Sequence, residues 1–338
     1  MGTDDARMNG FRQAARSIPL AVVLLVVTFA CRVARGQGGD APLPAQVDLR
    51  PVMLQWGLKD RIQGTRATCS AFVVTEAIEY AAASRTGKGE RLSVEYLNWA
   101  SNQEVGANED GGFFSDLWKG FAARGICPER DMPYQARFDA AEKPSEDATR
   151  DARGLLEAGL RLHWIKEWDV NTGLTEAHLA AIKATIAKKW PVCGGFRWPK
   201  QERWEDGVLG MAPPDGVRDG HSVLLVGYRD DAARPGGGAF IFRNTAGSGR
   251  DGQMTYEYAR AYMNDAVWIE APAAPAAAPT RAELLGMVGT APVGRNRRVS
   301  SNEQPGWHTE NLDMTWLQPG ESVRMPELEG PGVITHMW

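Results

Sequence analysis

Apolar residues recur at helical spacing in the first half of the chain and gather into short unbroken runs in the second. The stretch 73–80, Val-Val-Thr-Glu-Ala-Ile-Glu-Tyr, follows Cys69-Ser70-Ala71-Phe72 and reads as a helix that begins at the cysteine. A second helix is predicted over 92–99, where Ser93 can cap the first turn, and a third over 115–124, stopped by Gly125. Residues 177–189 carry one further helical pattern, after which 192–196, 222–228 and 239–243 are β-type runs bounded by Gly and Pro. The folded part opens at Val47-Asp48-Leu49-Arg50-Pro51 and closes near Val267-Trp268-Ile269-Glu270. A helical front half thus meets a β-rich back half, which is the α+β class. Residues 140–150 are charged and without period, and read as a surface loop.

The two ends carry other patterns. Arg12 and Arg16 precede an apolar run over 18–30, and Ala34-Arg35-Gly36 follows it, the parts of a secretory signal peptide occupying 1–36. The run is too short for a good membrane span, so no stable span is expected after cleavage. An uncleaved anchor and lipid attachment at Cys31 remain alternatives. Secreted or periplasmic location follows from the same pattern. Residues 37–46 are Gly/Pro/Ala-rich and extended, 47–270 form the main domain, 271–283 are an Ala/Pro linker, and 284–338 read as short strands between turns.

Composition narrows the function. A chain of 338 residues with net charge −4 and 43% hydrophobic residues is globular, of one to three domains, with no basic excess to bind nucleic acid. Loss of Cys31 with the signal leaves Cys69, Cys127 and Cys193, an odd number, so at least one thiol stays free. Cys193, in a buried-strand pattern, and Cys127, in a turn, read as structural. His163, His178, His308 and His336 show no ligand spacing, so neither metal nor cofactor is expected.

Cys69 stands where a helix would start, and the helix dipole and free N–H groups there favour a thiolate. A cysteine nucleophile also needs a base, a group that orients the base, and donors for an oxyanion. His221 directly before a strand, Asn244 directly after one, and Gln63 six positions before Cys69 offer these, each at an element boundary. Any one could be incidental; order and flanking residues together favour function.

Gln63-Gly64 with Cys69-Ser70-Ala71-Phe72, then Asp110-Gly111-Gly112, then Gly125-Ile126-Cys127-Pro128-Glu129 with Pro133-Tyr134, then Gly220-His221-Ser222-Val223 with Val226-Gly227-Tyr228, and Arg243-Asn244 resemble the papain-like cysteine peptidases. The resemblance runs from Val47 to about Glu270. It implies a two-lobed fold, with Cys69 on a helical lobe and His221 and Asn244 on a β-barrel-like lobe. It also implies Cys69 as nucleophile, His221 as base, Asn244 as its orienter, Gln63 as oxyanion donor, and Gly111, Gly112 and Gly220 as substrate-binding positions. The substrate would be a peptide or protein and the enzyme a monomer.

Departures from the family pattern accompany it. Arg66 and Glu109 occupy the positions of a usual disulfide, and an Arg66–Glu109 salt bridge is expected instead. Ser70 replaces an aromatic residue, and Ala246 stands where a tryptophan usually shields the Asn–His bond, which is therefore expected to be open to water. About ten residues separate the signal from Val47, too few for a long inhibitory propeptide. The tail resembles the opening of a β-sandwich family that includes glycoside hydrolase family 172, and is expected to be a truncated domain or a small β appendage, with no glycosidase activity assigned. The sequence thus reads as an endopeptidase, with an impaired peptide-binding module fused to a carbohydrate-active domain as the alternative.

Overall fold

The computed structural model describes residues 42–272 apart from 172 and 248. The expectations for the signal peptide and for the carboxyl-terminal module lie outside the described residues. The chain enters through β1 (Gln46–Asp48) and the short helix α1 (Arg50–Gln55). It then reaches α2 (Cys69–Thr86), the helix predicted to begin at the cysteine. Residues on every side of α2 are buried, including Ser70, Phe72, Val74, Ile78 and Tyr80, so it runs through the core and shows little amphipathic patterning. It ends at Gly87, whose φ of 68° supplies the left-handed C-cap.

On one side α2 meets α3 (Val94–Val105) and α4 (Phe114–Arg124). Ser93 caps α3, its hydroxyl accepting the Tyr96 N–H at 2.9 Å. The two outer helices approach closely because α4 presents Gly120, where an added Cβ would lie 2.4 Å from the Ser101 nitrogen. The expected loop over 140–150 instead contains α5 (Glu146–Asp151). Ser145 accepts the Ala148 N–H, Glu146 and Asp147 sit in the first turn where the dipole favours them, and Ala148 is buried.

The other side of α2 faces a nine-stranded sheet. Its strands are β2 (Arg161–Lys166), β3 (Val192–Pro199), β4 (Trp204–Glu205), β5 (Val208–Leu209), β6 (Val217–Asp230), β7 (Gly238–Arg243), β8 (Gly252–Thr255) and β9 (Met263–Glu270), with β1 pairing β6; α6 (Glu176–Ala187) and α7 (Tyr256–Tyr262) complete the fold. The order is β2-β9-β3-β6-β7-β8-β5-β4, antiparallel except where β5 meets β8. The predicted runs became β3, β6 and β7, while β2, β4, β5, β8 and α7 carried no pattern read in advance. β2, at the sheet edge, is exposed or half-buried up to Ile165 with no period of two, and β8 has only four residues.

Several charges are buried around α2. Arg61 bonds Glu79 at 2.9 Å and Glu129 at 2.7 Å. Glu76 on α2 differs: it is 1% exposed and neither carboxyl oxygen has a hydrogen-bond partner among the described residues. Burial pushes its carboxyl from the ordinary 4.5 up to about 8, against the pull of Arg243 and with the help of Glu79. A carboxyl raised in the folded state contributes stability that is complete below about 4.5 and lost as pH rises through about 8. Glu76→Met, which removes the titration and keeps the volume, is therefore expected to be the more stable protein at about pH 8, by about 1–4 kcal/mol, with the gap narrowing toward about pH 5. Urea unfolding at both pH values checks this; a gap independent of pH would contradict it.

Candidate active site

Cys69 is the first residue of α2 and is partly exposed. Its N-cap, Thr68, makes no side-chain capping bond, because the Thr68 hydroxyl pairs with Tyr134 Oη at 2.6 Å. The Cys69 Sγ faces the Gly220 carbonyl oxygen at 3.9 Å. Gly220 precedes His221 in β6, with φ of 89°. Cross-strand pairing runs Phe196 to His221 and then Trp198 to Arg218, so β6 bulges at this point. Such a bulge re-aims neighbouring side chains. Here it needs glycine's left-handed backbone.

His221 and Asn244 are each 8% exposed, and His221 Nε2 lies 3.0 Å from Asn244 Oδ1. The same Oδ1 accepts the Ala246 N–H at 3.1 Å, which fixes the orientation of the amide. An oxygen that only accepts requires His221 Nε2 to carry its proton, leaving Nδ1 as the basic nitrogen of the neutral ring. Gln63 is held as firmly. Its Oε1 accepts from the Thr245 hydroxyl at 2.8 Å, and its Nε2 donates to the Arg66 carbonyl at 2.8 Å. Its backbone N–H donates to the Thr245 carbonyl, and its own carbonyl accepts from Tyr134 Oη. An amide nitrogen carries two N–H groups, so one remains for another acceptor.

The four residues thus converge through Cys69–Gly220, His221–Asn244 and Gln63–Thr245 contacts. Burial pushes the Cys69 thiol up, opposed by the N–H and hydroxyl of Ser222 and the N–H groups of Ser70 and Cys69. Burial likewise pushes His221 down, against the Asn244 bond and the charge of Glu202, while Arg218 adds to the lowering. Each group taken alone is driven toward its neutral form.

Thr245 and Trp198 carry no mark in the sequence, and Tyr134, part of the family motif, acts here through its hydroxyl, which joins Thr68 to the Gln63 carbonyl. Trp198 corrects the expectation that Ala246 leaves the Asn–His bond open to water. Its ring, 1% exposed, stands edge-on to His221 at 4.5 Å and 70°, so an indole from β3 covers the imidazole. Its place in the sequence, at the end of an apolar run, gives no sign of this partner.

The expected Arg66–Glu109 bridge is also corrected. Arg66, 6% exposed, bonds Glu95 at 2.6 and 2.9 Å and Asp110 at 2.7 Å, and lies over the Tyr134 ring. Glu95 is buried on α3 facing the guanidinium, and Asp110 comes one residue nearer the glycines than Glu109. Glu109 takes part through its backbone, the carbonyl accepting from Asn98 and Asn102 and the N–H donating to Asn102 Oδ1.

Gly111 and Gly112 follow directly. The Gly111 N–H donates to Asn98 Oδ1 at 2.8 Å, its φ is 77°, and an added Cβ would lie 2.6 Å from the Ala67 carbonyl oxygen and 3.1 Å from Ser70 Oγ. A small residue at Ser70 therefore fits this contact. Gly111→Ala is expected to cost about 1–3 kcal/mol of stability and to raise KM for peptides, read from urea melts and initial rates. A variant with unchanged stability would contradict the reading of this contact.

Among the described residues no three His, Cys, Asp or Glu side chains stand together as a cation site would need, and no helix is long and apolar enough to cross a membrane.

A core helix opened by a partly exposed cysteine and packed against a large mixed sheet is the fold of a cysteine peptidase. The papain family cysteine protease profile matches residues 43–268, and the chain belongs to that family of cysteine peptidases. Xylellain, a cysteine protease from Xylella fastidiosa, is 25% identical, with 68% of this chain and 87% of that one covered and a TM-score of 0.52. The proform of Amb a 11, a ragweed pollen cysteine protease, shares the fold at 20% identity, with 69% and 68% covered and a TM-score of 0.50. No sequence among the curated proteins matches the chain significantly.

Proposed function

We propose that the chain is a cysteine-type endopeptidase in which Cys69 and His221 act as a thiolate–imidazolium pair. The observation that carries this reading is the amide-fixed His221–Asn244 bond, which leaves Nδ1 free as base in the ring whose preceding carbonyl meets Cys69 Sγ. The Cys69 proton passes to His221, and the sulfur attacks the peptide carbonyl carbon. The free N–H of Gln63 and the Cys69 backbone N–H hold the oxyanion, a role worth about 10²–10³-fold in rate per donor. The C–N bond then breaks as His221 returns its proton to the departing amine. Water, giving a proton to His221, cleaves the thioester to the acid and restores the thiol.

Gly111 and Gly112 line the acyl side of the substrate, where absent side chains admit an extended backbone. The amino-terminal pattern supports a secreted or periplasmic enzyme. Burial that drives both Cys69 and His221 toward neutrality favours the second reading, a peptide-binding module without turnover. Hydrolysis of a fluorogenic peptidyl amide by the protein starting at Gln37, lost in Cys69→Ala, is expected. Equal rates in the two proteins, or none in either, would give way to the second reading.

A further inference from the structure

Trp198 occupies an unusual setting for a core tryptophan. Phe242 and Tyr258 stand 5.9 and 6.4 Å from its ring, both edge to face, and His221 closes the cage at 4.5 Å. A buried indole needs an acceptor for its N–H. Glu202 supplies it: Oε1 accepts from Trp198 Nε1 at 2.8 Å, while Oε2 accepts from Trp204 Nε1 at 2.9 Å. Trp204, in β4, is 42% exposed. One surface carboxylate therefore grips two indoles, of which only the buried one touches His221.

We infer that Glu202 is a positioning residue for His221, acting through Trp198. The inference rests on the peptidase reading of Cys69 and His221. The Glu202 bond fixes the rotation of the Trp198 ring, and that ring walls off one face of the imidazole. With the wall in place His221 keeps its Nε2 on Asn244 and its Nδ1 toward Cys69, and water is kept from the Asn244 bond. The bulge at Gly220 makes the arrangement possible, since it brings His221 opposite Phe196 while Trp198 pairs Arg218. The charged groups that act on His221 are Glu202 from the segment after β3 and Arg218 from β6, while Cys69 from α2 meets the carbonyl of the preceding Gly220. Of these, Glu202 favours the imidazolium and Arg218 opposes it. The carboxylate thus supports the charged ring as well as the shield.

Double-mutant kinetics test the route through Trp198. The amide of Glu202→Gln can accept from only one indole, and Trp198→Phe keeps an aromatic wall without the N–H. Each is expected to lower kcat on a peptidyl coumarin amide about tenfold with KM unchanged, a loss below the ~10²-fold that misplacement of reacting groups can reach. The double variant is expected to fall no further than the worse single one. Trp204→Phe, which frees only the exposed indole, should keep wild-type kcat. A kcat within twofold of wild type in Glu202→Gln, or losses that multiply in the double variant, would overturn the inference.

Iodoacetamide reaction of Cys69 in the same proteins separates this from failure of the peptidase reading. If no protein, wild type included, hydrolyses substrate, the peptidase reading fails. The alkylation rate then decides the positioning role by itself: about tenfold slower at about pH 6 in Glu202→Gln supports it, and equal rates reject it. If Trp198→Phe does not fold, Glu202→Gln against Trp204→Phe gives the same decision.

Discussion

Replacing His221 with alanine is expected to lower kcat by at least ~10³-fold while KM for a short peptide changes little, the signature of a lost general base. The expectation follows from geometry. Nε2 is committed to Asn244 Oδ1, so the ring has one basic nitrogen, and the carbonyl of the preceding Gly220 meets Cys69, the partly exposed thiol among Cys69, Cys127 and Cys193. Among the described residues no other imidazole can stand in: His163 is taken by Glu270 at 2.9 Å on the outer strand β2, and His178 serves in the capping box of α6. Asn244→Ala should be milder, because Trp198 still walls the ring, yet kcat should fall as the tautomer is freed. Stopped-flow or steady-state rates on a peptidyl amide measure both. A His221→Ala enzyme within tenfold of wild type would mean that another group takes the Cys69 proton.

The second large effect is on stability. Arg66→Met is expected to cost about 3–5 kcal/mol, because it strands Glu95 and Asp110 without their shared partner inside the protein. The guanidinium also donates to the Gln135 carbonyl, and Glu95 accepts from the Gln135 N–H, so the 134–138 loop loosens with it. Arg66→Lys should recover only part of the loss, since one ammonium cannot hold two carboxylates in bidentate geometry. Because the Arg66 carbonyl anchors the Gln63 amide, and Asp110 precedes Gly111, the same variant should raise KM. Urea unfolding reads the stability directly. A loss under about 1 kcal/mol would show that the pair behaves like an exposed one.

How much could be read in advance differs from residue to residue. Cys69, Gln63 and Asn244 are legible because each lies at the end of an element whose pattern is local: a helix start, the turn before it and the residue after a strand. His221, expected directly before a strand, lies instead inside β6, because the bulge at Gly220 lets the strand continue back to Val217. Arg66 announced a charge that needed a partner, but the choice among Glu109, Asp110 and Glu95 depends on which face of α3 turns inward. Glu95, placed in a first turn where an acid is ordinarily solvated, points into the core. Trp198 stayed hidden for a stronger reason. Its contact with His221 depends on the β3–β6 register and a one-residue bulge, neither of which leaves a local mark. The α5 helix was masked by the charges that stabilise its first turn, and α7 by its shortness, although Thr255 caps it by accepting the Tyr258 N–H.

The central claim is that Cys69 and His221 ionise together although burial opposes each charge alone. Two opposite charges a few ångströms apart in a cleft of low dielectric attract by several kcal/mol, enough to outweigh that opposition only if both form at once. The most direct test is the pH dependence of Cys69 alkylation by iodoacetamide, located by mass spectrometry, in the wild type and in His221→Ala. The account predicts rapid labelling that persists well below pH 7 and vanishes in the variant. Labelling that rises only near pH 8.5, the ordinary range of a free thiol, and is the same in both proteins would contradict it.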